Sequence, residues 1–464
     1  MSLLRKLFTL FVFCGLAGSA VKAQVSNNTT GGQIINQTIT TAVPFLRINP
    51  DARAGGMGDI GIATPADANG LYANPAKMAF VPDDYGFALS FSPWLKALVN
   101  DIYLASLNGY YKVKKEQVIS ASLRYFSLGN IQFTDQNGTN TQQFMPREFA
   151  VDVHYSRKLG NYFSIAASLR YIYSNLASGQ SVGGALVKPG QAGSGDISWY
   201  FHKTFKEGEP IQHEFSCGMD ISNIGSKMSY TSSVVKDFIP TNLGIGLGYT
   251  CYLDKHNSVG VYSDINKLLV PTPNSKYDTV NNTYFYREES SIKGMFTSFG
   301  DASASQELKS FTLSIGAEYF YDKKFGVRFG YFYEPVAAGG RQFLEAGLTV
   351  KYSVVGLHFS YLIPTTILRN PLDNTLRFSL LFNFAKGGKK NTSGDNSGIS
   401  FVDDTPKKKD AKKDLQVAPA QPVQTPATAP AVPGQQAAPS GTPDQTPAPA
   451  TTPAPDNTAP ANPK

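Results

Sequence analysis

Residues 162–174 read Tyr-Phe-Ser-Ile-Ala-Ala-Ser-Leu-Arg-Tyr-Ile-Tyr-Ser. Odd positions carry Phe163, Ile165, Ala167, Leu169, Tyr171 and Tyr173, while Ser164, Ala166, Ser168 and Arg170 fall between them. A period of two is the signature of a β-strand whose two faces meet different surroundings. Here one face is apolar and ends in tyrosine, and the other is small and polar. Residues 147–157 repeat the pattern, with Phe149, Val151, Val153 and Tyr155 against Glu148, Ala150, Asp152 and His154. So do 311–321, with Phe311, Leu313, Ile315 and Tyr319 against Thr312, Ser314, Gly316 and Glu318. The last such run sets Leu376, Phe378, Leu380, Phe382 and Phe384 against Arg377, Ser379 and Asn383.

Working outward gives 14 segments, at 85–92, 102–112, 116–127, 147–158, 162–174, 195–204, 212–222, 241–253, 257–267, 309–321, 325–334, 341–352, 354–363 and 374–386. The sixth has the weakest pattern. Short turns follow even-numbered segments, at 112–115, 159–161, 254–256 and 322–324. Long connections follow odd ones, at 128–146, 175–194, 223–240 and 268–308. An even strand number, short turns on one side and long loops on the other describe an outer-membrane β-barrel with both barrel ends in the periplasm. A soluble β-sandwich also alternates, but its solvent face is richer in Lys and Glu; an extracellular β-solenoid is the other alternative. In this chain the polar face holds Ser, Gly, Ala and Thr with scattered charges: Arg124, Asp152, Arg170, Asp220, Glu318, Arg328, Glu345, Lys351 and Arg377. That suits a lumen filled with water or a plug. Leu169→Arg is therefore expected to harm assembly, and Ser168→Arg to be better tolerated if the lumen is wet.

Composition agrees. Only 17% of the 464 residues are charged and 12% are aromatic, against about 25% charged in an ordinary soluble domain. The formal net charge is +7, and the only basic run is 407–413, so a nucleic-acid partner is not expected. Three cysteines, Cys14, Cys217 and Cys251, and five dispersed histidines exclude a disulfide scaffold or a metal module. Closing the hairpin around 223–240 pairs residue 217 near 246 and 251 near 212, so no disulfide is expected between those two lipid-facing cysteines.

Residues 1–23 have a basic start, an apolar core and small residues before Gln24, and read as a cleaved secretory signal. Residues 24–84 form an N-terminal segment and plug, 85–386 the barrel. Residues 387–464 form a Pro/Ala/Thr-rich periplasmic tail with 14 prolines between Pro406 and Pro463, a composition expected to be disordered. Cutting the chain after Lys390 should leave assembly and secretion largely intact.

Residues 43–80 do not alternate. Glycines cluster at Gly55, Gly56, Gly58 and Gly61, where backbone turns or approaches other backbone closely. The run from Asp67 through Leu71 and Tyr72 is expected to form a short helix ended by Pro75. The stretch Phe45-Leu46-Arg47-Ile48-Asn49-Pro50-Asp51-Ala52-Arg53-Ala54-Gly55-Gly56-Met57-Gly58-Asp59 resembles the N-terminal signature of the PorV family, outer-membrane components of the Bacteroidota type IX secretion system. Asn74-Pro75-Ala76-Lys77-Met78-Ala79-Phe80 is similar to that family's second block and to the Asn-Pro-Ala block of the FadL-like transporter group. The resemblance implies a FadL-like barrel in which Pro50, Asp51, Arg53, Gly55, Gly58, Asp59, Asn74 and Pro75 are structural plug residues. It also implies a role: taking secreted cargo with a C-terminal sorting domain from a SprA-type translocon to a PorU-type sortase and attachment complex. The long tail departs from the family pattern.

Chemistry-bearing constellations are few. Gly179-Gln180-Ser181-Val182-Gly183 matches the hydrolase G-x-S-x-G, but sits in a loop without the strand–turn–helix context that lifts the serine. Asp152 and His154 share one inward face, and His358 and Ser360 another; residues satisfying one another across a lumen explain both. No cofactor motif is present. The reading is a non-enzymatic shuttle in the outer membrane, in contact with its lipid. The alternatives are a FadL-like transporter of hydrophobic small molecules and a lipopolysaccharide O-deacylase. Cargo or translocon contact is expected from 128–146, 223–240 and 268–308, above all from Tyr284, Phe285, Tyr286, Arg287, Glu288 and Glu289, an aromatic and charged mix suited to protein contact.

Overall fold

The computed structural model describes residues 39–94, 101–134, 137–182, 185–207, 209–231, 236–273, 277–278, 283–366 and 374–385. The expected signal sequence at 1–23 and the expected tail at 387–464 lie outside these residues. No helix is long and apolar enough to cross a membrane among those described.

Fourteen antiparallel strands close into a barrel. They are β1 (Tyr85–Pro93), β2 (Ile102–Lys114), β3 (Gln117–Leu128), β4 (Arg147–Lys158), β5 (Phe163–Asn175), β6 (Gly190–Phe205) and β7 (Gln212–Gly225). There follow β8 (Asn242–Tyr252), β9 (Asn257–Leu268), β10 (Phe311–Tyr321), β11 (Phe325–Tyr333), β12 (Gln342–Tyr352), β13 (Val355–Pro364) and β14 (Leu376–Phe384). Every strand pairs with its sequence neighbours, and β1 closes on β14 from Tyr85↔Phe384 to Phe91↔Phe378. Closure removes the unpaired edges that backbone in hydrocarbon could not satisfy.

The two faces of each strand behave as the alternation predicts. Along β5 burial alternates residue by residue, with Ser164, Ser168 and Ser174 inward and Leu169 outward at 76% exposure. The outward row of β10, with Leu313 and Ile315, and that of β9, with Val261 and Ile265, are likewise exposed. At the seam, outward rings stack in pairs, Tyr85 on Phe384 at 5.1 Å and Phe87 on Phe382 at 4.6 Å. An apolar surface of this extent on a monomer is unstable in water and stable in lipid.

The sixth strand runs to 16 residues, the longest of the barrel. Its first six residues, Gly190-Gln-Ala-Gly-Ser-Gly, are too small to show two contrasting faces, and a register shift between Gly195 and Ile197 interrupts the count. Cys217 lies opposite Leu247 and Cys251 opposite His213, close to the expected register. The long connections carry short elements of their own. Ile131–Thr134 pairs with Asn140–Phe144 beyond β3 and β4. The connection between β9 and β10 holds two helices, α1 (Ser291–Thr297) and α2 (Ala304–Leu308).

The described part of the N-terminal segment fills the lumen. Phe45 and Leu46 pack with Leu104, Phe126, Ala150, Ile172 and Ala192, all near the long-loop ends of their strands. Met78 and Val81 pack with Ala88, Tyr110, Val118 and Leu381 near the short-turn end. The segment therefore enters at the long-loop end, where the Ala42 amide donates to Phe238 O at 2.8 Å, and descends before β1 begins. The expected helix over 67–74 is a pair of turns at 68–73. The helical turn is Pro75–Phe80 instead, of the 3₁₀ type. The reason is local: Pro is preorganised for the first helical position, and the Asn74 side chain accepts the Ala76 amide as its cap.

Candidate functional site

Three carboxylates of the barrel wall grip the segment. Glu318 on β10 receives Arg53 through Nε at 3.0 Å and Nη2 at 2.8 Å, and also pairs with Arg328 of β11. Arg53 spends its remaining donor on Asp67 Oδ2 at 2.8 Å and Pro65 O at 2.9 Å. Glu345 on β12 accepts the Gly58 and Asp59 amides at 2.9 and 3.1 Å. Asp264 on β9 accepts those of Gly61 and Ile62 at 2.8 and 3.0 Å. Charge-assisted bonds from backbone amides to a buried carboxylate are among the stronger hydrogen bonds available. On β14, Arg377 reaches Asp59 at 2.5 Å and Glu345 at 3.2 Å.

The motif residues divide by task. Asp51 and Asn74 fold the segment on itself: Asp51 accepts the Arg53 and Ala54 amides and the Asn69 side chain, and Asn74 donates to Ile62 O. Arg53 and Asp59 fasten it to the wall. Asn74 also donates to Trp199 O at 3.0 Å, and Pro75 O accepts the Ser156 hydroxyl at 2.8 Å. Pro50 is buried. The glycines mark close approach. A Cβ on Gly55 would lie 2.1 Å from Arg377 Nη1, and Gly58, at φ +80°, would place one 2.8 Å from Tyr331 O. The wall answers with its own glycine: Gly330 leaves room for the Met57 carbonyl, 2.2 Å from where its Cβ would stand. Sequence reading places Glu318, Glu345, Arg328 and Arg377 on the inward face but does not see them as plug partners, and it passes over Asp264. A carboxylate on the inward row of a strand is the available signal.

The inner segment divides the space of the lumen. A cavity of about 510 Å³ opens at the short-turn end, lined by Phe80, Tyr200, Tyr252, Tyr262, Phe320 and Lys351 among others. One of about 110 Å³ lies toward the long-loop end, with Arg47, Tyr72, Arg124, Arg170 and Asp220 in its lining. The two share no lining residue; between them, a space of only about 10 Å³ is lined by Arg53 and Asp67 on the side of the first and by Asn49, Tyr72 and Ala73 on the side of the second. Ser168, expected to tolerate arginine in a wet lumen, is 5% exposed and bonded to His154 Nδ1 at 2.6 Å. Asp152 is engaged by Arg170, Arg124 and the Ser122 hydroxyl. His358 and Ser360 lie on β13, far around the wall from β4, so no Ser-His-Asp arrangement forms between the two pairs. Ser181 of the G-x-S-x-G match sits in a two-residue hairpin strand paired with Leu186.

At the long-loop end the connections brace one another. Arg287 pairs with Asp237, and its carbonyl accepts Lys227 Nζ at 2.7 Å. Lys227 also lies over the Phe238 ring at 4.1 Å, and burial pulls its ammonium pKa down. Of the expected contact residues, Arg287 is thus turned inward, and Tyr286 is half-buried with its ring 6.0 Å from that of Tyr284. Tyr284, Phe285 and Glu288 are exposed. Glu289 accepts the Thr297 hydroxyl at 2.8 Å.

No curated relative matches the chain. Solved structures similar to it include a deletion mutant of the TodX monoaromatic hydrocarbon channel, at 12% identity over 72% of this chain and 98% of that one, with a TM-score of 0.44. The Pseudomonas putida toluene transporter TodX is 13% identical over 73% and 99%, TM-score 0.42. A Pseudomonas aeruginosa FadL homologue is 9% identical over 75% and 99%, TM-score 0.36. The strand count and closure stand on this chain's own hydrogen-bonded register, not on these neighbours. The sequence model described as "Type IX secretion system protein PorV" matches residues 32–275, more than half of the chain and including both motif blocks. With that match and an apolar-walled, closed 14-strand barrel, the chain belongs to the PorV family of type IX secretion proteins and resides in the outer membrane.

Proposed function

We propose that this protein handles cargo at the external face of the barrel rather than through its lumen. In this reading it binds secreted proteins carrying a C-terminal sorting domain at a SprA-type translocon. It then delivers them to a PorU-type sortase and attachment complex, with no enzymatic step of its own. The observation that carries the reading is the plug: buried ion pairs and carboxylate–amide bonds join it to four strands of the wall. Breaking such pairs costs about 3–5 kcal/mol each, a poor design for a gate that must open at every passage. The external end presents braced loops with exposed Tyr284, Phe285 and Glu288, chemistry suited to a protein surface.

The transporter reading has one observation in its favour, the aromatic-lined cavity of about 510 Å³ at the periplasmic mouth. A locked plug separates the two. The Ala52 amide donates to Ser379 Oγ at 3.0 Å, so an Ala52→Cys/Ser379→Cys pair can bolt plug to wall. Cells carrying the oxidised pair should still export sorting-domain cargo, whereas cells lacking the protein should retain it inside. Loss of export on oxidation, restored by reduction, would overturn the reading in favour of passage through the lumen.

A further inference from the structure

The connection between β9 and β10 contains an amphipathic element turned inside out. Along α1 and the turn that follows it the buried side is small: Gly294 and the C-cap residue Ser298 face the protein, where a Cβ added to Gly294 would lie 3.0 Å from Pro271 and 3.1 Å from Phe238. Ile292, Phe296 and Phe299, spaced i, i+4 and i+7, occupy the opposite side at 65%, 74% and 50% exposure. A surface helix normally turns such a stripe toward the core. α2 continues the pattern, leaving Leu308 74% exposed.

A lysine of the outer wall shows where this stripe points. Lys267 is an odd-numbered residue of β9, on the same outward row as Val261 and Ile265, and pairs across the sheet with outward Phe311. An outward lysine near the end of a membrane strand should be open to its surroundings, yet it is 3% exposed. Its ammonium is covered by the connection: Glu307 Oε2 lies at 2.8 Å, Ser310 Oγ at 2.6 Å, and the Phe299 and Phe311 rings have centroids at 5.6 and 5.3 Å. The 299–310 end of the segment therefore folds over the rim onto the outside of the barrel. Phe299 and Phe311 flank the same ammonium, so the exposed apolar row of the segment ends beside the outward row that carries Leu313 and Ile315. Lys293 and Lys309 are exposed on the same segment, Lys293 with Glu289 at 3.5 Å.

We propose that residues 291–309 lie in the interface of the outer leaflet. Ile292, Phe296, Phe299 and Leu308 sit at the acyl-chain boundary, and Lys293 and Lys309 at the level of the anionic lipid phosphates. Interfacial helices are built this way, with aromatic and aliphatic residues buried several ångströms and basic side chains reaching up to the headgroups. The arrangement makes the longest connection a membrane-seated brace: anchored on lipid at 291–309, it holds the 284–288 turn at a fixed height above the bilayer.

The experiment places an indole at position 296. In a Trp199→Phe background the only native indole is Trp94, packed in the lumen against Phe126 at 5.0 Å. Phe296→Trp, and as control Gln132→Trp on the hairpin beyond β3 and β4, are refolded into vesicles containing anionic lipid and phosphatidylcholine brominated at shallow chain positions. Heat-modifiable gel mobility confirms that each variant is folded. The expected result is quenching of the 296 indole at least about two-fold stronger than that of the 132 indole, with a blue-shifted emission. Substituting Lys293→Glu and Lys309→Glu in the Phe296→Trp protein should reduce that quenching. Equal quenching at 296 and 132 overturns the proposal. So does a 296 indole that stays red-shifted in vesicles and shifts to the blue only when outer-membrane proteins are added, which would make the stripe a protein-docking surface.

Discussion

Two stretches of this chain lie outside the sheet and pack against it, one inside the barrel and one over its rim, and they are held by opposite chemistry. The inner segment is fastened by charge: Arg53 on Glu318, Asp59 on Arg377, and amides on Glu345 and Asp264. The rim segment has one buried ion pair, Lys267–Glu307, and turns its large apolar side chains outward. The difference follows from what each must exclude. Inside, most side chains are buried, so a polar atom gains from a protein partner and unpaired charge is costly. At the rim the surroundings themselves solvate apolar atoms, and the segment needs only enough polar contact to fix its position.

The inner interface should be the more sensitive to single substitutions. Arg53→Ala strands Asp67 and removes two bonds from Glu318, and should cost about 3–5 kcal/mol, read as a fall in the temperature at which folded gel mobility is lost. An effect no larger than that of exposed Arg157→Ala would break the contrast.

Next in size is the wall itself. Leu169→Arg, on the most exposed outward position of β5, should cost about 2–4 kcal/mol at the bilayer midplane. Ser168→Arg should now fare little better, for a different reason: Ser168 is enclosed and bonded to His154. Refolding yields in detergent and in bilayers tell the causes apart. The Leu169 variant should recover in detergent of short chain, and the Ser168 variant in neither.

Gly58→Ala should cost about 1–3 kcal/mol, because a left-handed backbone and contact with Tyr331 O both oppose a side chain. Its sharper readout is protease cleavage within 49–64 in the folded barrel, expected in the variant and not in the parent.

A labelling pair tests the direction of the inner segment with no energetic cost. With Cys217 and Cys251 replaced by alanine, Thr40→Cys should react with a membrane-impermeant maleimide on intact cells. Lys255→Cys, in the turn between β8 and β9, should react only after the outer membrane is opened. The reverse pattern would invert the barrel. A smaller effect is expected at the rim, where Phe296→Ser gives up part of one side chain's contact with lipid and should cost about 1 kcal/mol in bilayers.

By itself the sequence determined the wall. Fourteen strands and their two faces follow from a period of two, a local signal that needs no distant partner, and closing the hairpin around 223–240, which pairs residue 217 near 246, comes within one residue of the observed partner Leu247. The motif blocks at 45–59 and 74–80 likewise mark the inner segment and the family. Only the tertiary structure decided what those residues touch. Arg53 meets Glu318 across 265 residues, and Lys267 disappears beneath Glu307 and Phe299. It also decided that the inner segment enters from the long-loop end and that the small-residue start of β6 is strand. These depend on closure: β14 must meet β1 before the inward carboxylates converge on one lumen, and pairing at that separation leaves no periodic trace in the chain.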